Sequence, residues 1–305
     1  MSARQALLNL GLRLIAKPLL PRVSDPVLLR VVLDRLAERS FRLPPCTVEL
    51  PLTLEGIVAL SLRSGPVVNP SALVLYLHGG AYIGGSLRTH RAFAARLARL
   101  AQVEVILPVY RLAPEHPMPA ALEDALAVWD ALVARGYAPA DIVLAGDSAG
   151  GGLALLLLSK LCARGTPPAG LVAFSPWTDL TISGASYHEN ATRDAMLPVC
   201  RITEASALAL GDGDPASPDV SPLFADFPAP PPVLIQHSDA EILADDSLSM
   251  ANRLRGFGAE VTVQSWPAAP HVWQMFYDYL PEARAAMRDA VRAIRRMLGQ
   301  ARAGR

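Results

Sequence analysis

Short apolar runs alternate with amphipathic stretches along most of the chain from residue 73 onward. Apolar runs of this length indicate buried strands, and the amphipathic stretches between them indicate helices that pack on those strands. The alternation therefore predicts a mostly parallel sheet covered by helices. Six strands are predicted, at 73–77, 103–107, 142–145, 171–174, 233–236 and 261–265.

An antiparallel pair of strands is predicted before this alternation begins. The runs at 48–50 and 57–62 have strand composition, and Glu55 and Gly56 between them are typical of a tight turn. With this pair the predicted sheet has eight strands, and the fold class is α/β.

Two segments do not fit the alternating pattern. Residues 1–45 predict two helices separated by Pro18 and Pro21, and residues 183–215 predict a mainly helical insertion. We expect these two segments to form a lid or cap, while residues 46–305 form one domain around the sheet.

Composition narrows the class of protein. Of the 305 residues 51% are hydrophobic and 18% are charged, which is enough apolar material for a large buried core. The 28 basic and 28 acidic side chains cancel, so no net field attracts nucleic acid or an anionic membrane. Three widely spaced cysteines argue against a disulfide framework or a zinc site, and a cytoplasmic location is expected.

The apolar stretch at residues 7–20 raises the question of a signal peptide. Arg13 and Lys17 interrupt it, and no small-residue cleavage site follows, so we interpret it as an amphipathic helix. No stretch of the sequence approaches an uninterrupted membrane span.

The Gly-Asp-Ser-Ala-Gly sequence at 146–150 lies between a predicted buried strand and a predicted buried helix. This setting is typical of a nucleophile elbow, in which Ser148 sits on a sharp turn and projects its hydroxyl from the sheet edge. Gly146 and Gly150 suit such a turn, since a Cβ at either position would collide with the neighbouring backbone.

His271 is the candidate base for Ser148. It follows the last predicted strand, whereas the other five histidines precede the candidate acids in sequence. A purely structural loop histidine is the alternative interpretation.

The candidate acids lie in the loop after the strand at 233–236. Asp239 and Glu241 are both placed to orient a base, and the pattern does not separate them. Asp245 and Asp246 are better placed to interact with the start of the next helix.

Backbone donors for an oxyanion are predicted in the His-Gly-Gly-Ala-Tyr sequence at 78–82, directly after the strand at 73–77. The N–H groups of Gly79 and Gly80, with that of Ala149 after the serine, are the candidates. A phosphate-binding loop is disfavoured because no Gly-Lys-Ser/Thr follows, but a plain turn stays possible.

Metal and dinucleotide chemistry have no recognisable motif in this chain. No His-Glu-x-x-His, paired cysteines or calcium loop is present, and no Gly-x-Gly-x-x-Gly follows the first strand. No metal or cofactor is expected.

Several motifs occur in a characteristic order: residues 78–82, then 110–124, 146–151, 175–180 and 221–223. With them the chain resembles the hormone-sensitive-lipase-like family, also called family IV, of bacterial carboxylesterases. The resemblance runs from about residue 45 to the C-terminus.

This resemblance implies an α/β-hydrolase fold with a helical cap, and hydrolysis of short- to medium-chain acyl esters without a cofactor. The expected partner is therefore a small ester, and a homodimer through the sheet edge near 261–265 is implied by resemblance alone. Ser148 matches the nucleophile of the family, His271 its base, and Gly79, Gly80 and Ala149 its oxyanion donors.

The acid is where the chain departs from the family pattern, Asp-Pro-Leu-x-Asp. Aligning Leu243 and Asp245 with that pattern places Glu241 at the acid position and Ile242 at the proline. Glu241 is the preferred acid and Asp239 the reserve, since either carboxylate can orient an imidazole.

Tyr82 and Trp177 are expected either to line the substrate pocket or simply to pack in the core.

Two other functions are compatible with these motifs. A hydrolase-like ligand-binding protein without turnover is the main alternative, but such proteins typically lack the base, and His271 is present here. An amidase or lactonase would use the same site.

Overall fold

A single eight-stranded sheet runs through the protein. The computed structural model describes residues 1–65 and 69–303, and within them the strands lie in the order β1-β2-β4-β3-β5-β6-β7-β8. Pairing is antiparallel between β1 and β2 and between β2 and β4, and parallel from β4 through β8. The predicted α/β class and mostly parallel sheet are confirmed.

All eight predicted strands are present, with bounds that differ by a few residues. They are β1 (Thr47–Leu54), β2 (Ile57–Ser64), β3 (Asn69–Leu77), β4 (Val103–Pro108), β5 (Ile142–Asp147), β6 (Gly170–Phe174), β7 (Val233–Ser238) and β8 (Val261–Trp266).

Helices fill the connections between the strands. The α-helices are α1 (Ala3–Gly11), α2 (Lys17–Leu19), α3 (Pro26–Ser40), α4 (Leu87–Ala101), α5 (Ala120–Ala134), α6 (Ala149–Ala163), α7 (Ser186–Glu189), α8 (Val199–Leu210), α9 (Ala244–Gly256) and α10 (Pro281–Ala303). A π-helical turn (Leu12–Ala16) and short 3₁₀ turns (Leu20–Arg22, Pro139–Asp141, Pro222–Phe224, Trp273–Phe276) complete the set in the described ranges.

The first 22 residues differ from the prediction. Pro18 and Pro21 were expected to separate two helices, but helical turns continue from α1 through both prolines to Arg22. The π turn bonds the Lys17 N–H to the Leu12 carbonyl, a wider spacing than in an α-helix. This wider turn accommodates Pro18, which has no N–H to donate, so the chain changes direction only after Arg22.

Each face of the sheet carries its own apolar core. Helices α5, α6 and α9 cover one face, and α4 and α10 cover the other. Helix α6 lies deepest, because every residue from 153 to 158 is fully buried. The rigid layer that this helix forms with β5 holds the turn between them in place.

Strand β8 is the outermost parallel strand, with β7 as its partner. Its residues are only partly buried or exposed. The homodimer expected on this edge stays a prediction.

The tight packing at the start of α6 leads to a first prediction. A Cβ at Gly150 would lie 2.2 Å from the Leu77 carbonyl oxygen and 2.3 Å from that of His78. Because both atoms are backbone in a buried region, Gly150→Ala should destabilise the fold by more than about 3 kcal/mol, measured by urea denaturation.

Gly11→Ala is the matched control. No atom lies within 4 Å of a Cβ built there, and the residue is helical, so this change should be neutral or stabilising by up to about 1 kcal/mol. Equal unfolding midpoints for the two variants would contradict this account of the turn.

Candidate active site

Ser148 occupies the turn between β5 and α6. Its backbone has φ 53° and ψ −126°, outside the regions that a serine normally adopts. Three backbone hydrogen bonds hold this geometry: Ser148 N–H donates to Phe174 O at 2.9 Å, and Ser148 O accepts from Gly152 at 3.1 Å and Trp177 at 3.0 Å. The side chain is half-buried.

The glycines around Ser148 are required by close approach. A Cβ at Gly146 would lie 2.3 Å from the Gly150 carbonyl oxygen. Together with the crowding at Gly150, this shows why the two positions that flank the serine carry no side chain.

His271 and Glu241 are in direct contact below the protein surface. His271 lies in the loop after β8, Glu241 in the turn after β7, and the His271 Nδ1 is 2.7 Å from the Glu241 Oε2. Both side chains are at least 95% buried. The other carboxylate oxygen of Glu241 accepts the Ser238 N–H at 2.8 Å, which fixes the orientation of the carboxylate.

Two opposing effects act on the pKa of His271. Burial alone lowers it, but the hydrogen bond and the negative charge of Glu241 outweigh burial, with smaller contributions from Asp194 and Asp147. The pKa of His271 therefore lies above its ordinary value of 6.5.

Asp239 has a different environment. It is about half exposed, and its Oδ1 accepts the Ala268 N–H at 2.8 Å. It thus ties the turn after β7 to the loop that carries His271, but its carboxylate does not bond to the imidazole.

Side chains of residues 186–194 form hydrogen bonds with the backbone of the turn that carries Glu241. Asn190 Nδ2 donates to the Glu241 carbonyl at 2.9 Å, and Asp194 Oδ2 accepts the Ile242 N–H at 3.0 Å. Sequence reasoning missed both residues, because they contact the turn through its backbone, about 50 positions away in sequence.

Gly79 is not placed as predicted. Its N–H donates to Asp147 Oδ1 at 3.0 Å, so this amide already has an acceptor. Among the described residues, the N–H groups of Gly80, Ala81 and Ala149 have no hydrogen-bond partner. Gly80 and the next two residues all have positive φ, and strain of this kind is concentrated at functional sites.

Asp147 joins the serine turn to the glycine loop after β3. Besides Gly79, its carboxylate accepts from the Tyr76 hydroxyl at 2.6 Å and lies 3.3 Å from His90 Nε2. Burial alone raises the pKa of Asp147, but His90 and the Tyr76 hydroxyl bring it below its ordinary value. The carboxylate is therefore ionised, and it fixes the two loops relative to each other.

Tyr82 and Trp177 pack together under the serine turn. Their ring centroids are 6.0 Å apart, and both side chains are fully buried. The Trp177 indole N–H donates to the Asp179 carbonyl at 3.1 Å. This burial fits packing in the core, and the pocket role of the two residues stays a prediction.

The hydroxyl of Ser148 forms no hydrogen bond with His271 or with another residue in the described ranges. Bonds between nucleophile and base are often long in ligand-free proteins and shorten when substrate binds. The candidate site therefore contains a serine hydroxyl on a strained turn, a buried His–Glu pair, and backbone amides without acceptors.

The chain matches a family model described as "alpha/beta hydrolase fold" over residues 74–275. It is 38% identical over 274 residues to an acetyl-hydrolase of Streptomyces hygroscopicus, covering 89% of this chain and 90% of that protein. It is also 34% identical to the carboxylesterase/phospholipase LipF of Mycobacterium tuberculosis, covering 94% and 80%. A crystal structure of an esterase from the bacterial hormone-sensitive lipase family superposes with a TM-score of 0.84 at 37% identity, covering 92% and 99%.

The chain belongs to the hormone-sensitive-lipase-like esterases. It is a carboxylic ester hydrolase with the α/β-hydrolase fold, as the sequence motifs implied. No helix in the described part of this esterase has the length and apolarity to cross a bilayer. In the same part, no group of three or more His, Cys, Asp or Glu side chains is arranged to hold a metal ion.

Helix α1 of the esterase bonds to the loop that carries His271. Gln5 Nε2 donates to the carbonyls of Pro267 at 3.1 Å and Ala268 at 2.9 Å, and Asn9 Nδ2 donates to Ala268 at 2.8 Å. Both side chains are buried. Sequence reasoning missed them, although two amide side chains four positions apart on a mostly apolar helix are a usable signal for a buried polar contact.

This contact leads to a second prediction. In Gln5→Ala the two carbonyls lose a buried donor, and we expect the loop with His271 to move and kcat for a soluble ester to fall about tenfold with little change in KM. Steady-state kinetics measure both constants.

Ala6→Ser, an exposed change on the same helix, is the control and should leave both constants unchanged. A Gln5→Ala enzyme with wild-type kcat would show that α1 does not position the His271 loop.

Proposed function

We propose that this esterase hydrolyses short- to medium-chain acyl esters through a Ser148–His271–Glu241 triad and an acyl-enzyme intermediate. The observation that carries the proposal is the buried 2.7 Å contact between His271 and Glu241. A serine on an elbow next to an imidazole oriented by a carboxylate is the arrangement that activates a hydroxyl for acyl transfer.

Acylation begins when the Ser148 Oγ attacks the ester carbonyl carbon and His271 Nε2 takes the hydroxyl proton. The bond to Glu241 keeps the other proton on Nδ1 and stabilises the imidazolium that forms. Collapse of the tetrahedral intermediate breaks the bond to the alcohol oxygen, which receives the proton from His271. The products of this half-reaction are the free alcohol and an ester on Ser148.

Deacylation repeats the sequence with water. His271 takes a proton from water as its oxygen attacks the acyl carbon, and then returns the proton to the Ser148 Oγ as that oxygen leaves. The carboxylic acid departs and the enzyme is regenerated without a cofactor.

Oxyanion stabilisation is assigned to backbone N–H groups on two loops. Gly80 and Ala149 retain this role from the sequence prediction, and Ala81 is added because its N–H also lacks an acceptor. Gly79 instead positions the loop through Asp147. Donors of this kind contribute most when they are held in place before the charge develops.

A helical cap formed by residues 1–45 and 183–215 is also proposed, over the domain of residues 46–305. Its support is a direct connection between the two segments: Lys17 Nζ donates to the carbonyls of Ala191 and Asp194 at 2.7 Å, and Arg13 donates to that of Arg193 at 2.6 Å. The name of the Streptomyces hygroscopicus relative, acetyl-hydrolase, supports a preference for short acyl groups.

A third prediction separates the two acid candidates. Glu241→Gln keeps the shape of the side chain but removes the charge that stabilises the imidazolium, so kcat for p-nitrophenyl butyrate should fall about 10³- to 10⁴-fold. Asp239→Asn keeps an acceptor for the Ala268 N–H and should change kcat less than about threefold. A dead Asp239→Asn enzyme beside an active Glu241→Gln enzyme would reverse the assignment.

The pH profiles of the same variants test the reason for the difference. His271 must be neutral to accept the Ser148 proton, so kcat/KM should rise with pH through the pKa of His271, which lies above 6.5 in the wild type. Because Glu241 raises this pKa, its replacement should lower it. The acidic limb of the pH profile for the residual activity of Glu241→Gln should therefore lie at lower pH than in the wild type. An unchanged acidic limb in Glu241→Gln would contradict the pairing.

A further inference from the structure

The N-terminal helix exposes apolar side chains that no other described residue covers. Of nineteen large apolar side chains exposed in the described ranges, eleven lie in residues 1–43. Leu7, Leu14 and Ile15 are 72%, 68% and 63% exposed, and Leu10 and Leu19 are also exposed. We call these five residues the N-terminal apolar face.

The residues of this face follow helical spacing. Leu7, Leu10 and Leu14 are separated by three and four positions, so they form one stripe along the helix. The buried side of the same helix is largely polar: Gln5 and Asn9 bond to the His271 loop, and Lys17 bonds to residues 191 and 194. Only Leu8 among the leucines of α1 packs on the body of the protein. The helix is therefore fixed to the body of the protein through its polar side, and its apolar side faces solvent.

Charge on this segment is uneven although the whole chain is neutral. Residues 1–24 contain four basic side chains and no aspartate or glutamate. Arg4, Arg13 and Arg22 are exposed, and no carboxylate in the described ranges forms an ion pair with them. Arg13 bonds only to a backbone carbonyl, so its charge is not neutralised.

We propose that the N-terminal apolar face docks on an anionic lipid surface, with the helix lying in the plane of the interface. The helical turns of residues 3–22 extend about 30 Å, enough for the leucines to enter the acyl boundary while the arginines reach lipid phosphates. A second copy of the chain fits less well, since a twofold contact on this face would bring one basic segment without acidic side chains against another.

Docking in this orientation would also affect catalysis. This consequence rests on the proposed function, whereas the docking itself does not. Because the polar side of the helix bonds to the carbonyls of Pro267 and Ala268, a lipid-bound helix holds the loop with His271 close to the interface. Esters that partition into the lipid phase would then reach the active site without crossing bulk water.

The test is cosedimentation of the full chain with vesicles of equimolar phosphatidylglycerol and phosphatidylcholine at low salt, compared with phosphatidylcholine alone. Wild type should bind the anionic vesicles and release as salt rises. Leu10→Gln/Leu14→Gln should weaken binding about tenfold or more, and Arg4→Gln/Arg22→Gln about tenfold at low salt.

Val133→Gln/Leu248→Gln is the matched control, since both residues are exposed apolar side chains on other helices, and it should bind like wild type. Thermal unfolding midpoints close to wild type show that each variant is folded. The readout needs no hydrolysis, so it is independent of the triad.

Three results would overturn the proposal. The first is that wild type does not bind anionic vesicles, and the second is that the control variant loses as much vesicle binding as Leu10→Gln/Leu14→Gln. The third is that wild type is a dimer in analytical ultracentrifugation and does not bind vesicles, while Leu10→Gln/Leu14→Gln is a monomer. The last result would assign the face to a second copy.

Discussion

The backbone turn at Ser148 is the constraint on which the rest of the site depends. A serine at φ 53° and ψ −126° is strained, and it persists because the neighbouring strand and loop over-determine it. Phe174 at the end of β6 accepts its N–H, Trp177 donates to its carbonyl, and α6 begins directly after it in the most deeply buried helix of the fold. The position of Ser148, the proposed nucleophile, is therefore set by backbone contacts and by the absence of a Cβ at Gly146 and Gly150.

His271, the proposed base, and Glu241, the proposed acid, are placed differently, on loops whose conformation depends on other segments of the chain. Asp239 links the two loops to each other, Asn190 and Asp194 hold the acid turn, and Gln5 and Asn9 hold the base loop. A loop at the end of a strand is mobile by default, and each of these contacts removes part of that freedom. Residues 1–45 and 183–215 thus contribute to the geometry of the candidate site through these contacts.

The pattern of neighbouring residues in the sequence predicted those features that depend only on neighbouring residues. The eight strands and the serine turn follow from apolar runs and glycines within a few residues. The continuation of the helix through Pro18 could not be predicted in this way, because the π turn that accommodates the proline depends on hydrogen bonding rather than on residue type. Gly79 shows the same limit, since its N–H is used by Asp147, which is 68 positions away in sequence. Glu241 and Asp239 were indistinguishable by composition, and the distance to His271 separates them only in three dimensions.

The central claim is that Ser148 carries the acyl group during turnover. Its most direct test is acid quenching of the enzyme within the first turnover of p-nitrophenyl butyrate, followed by intact-mass measurement and peptide mapping. The expected result is a mass increase of one butyryl group, located on Ser148. An adduct on another residue, or turnover by Ser148→Ala at the wild-type rate, would contradict it.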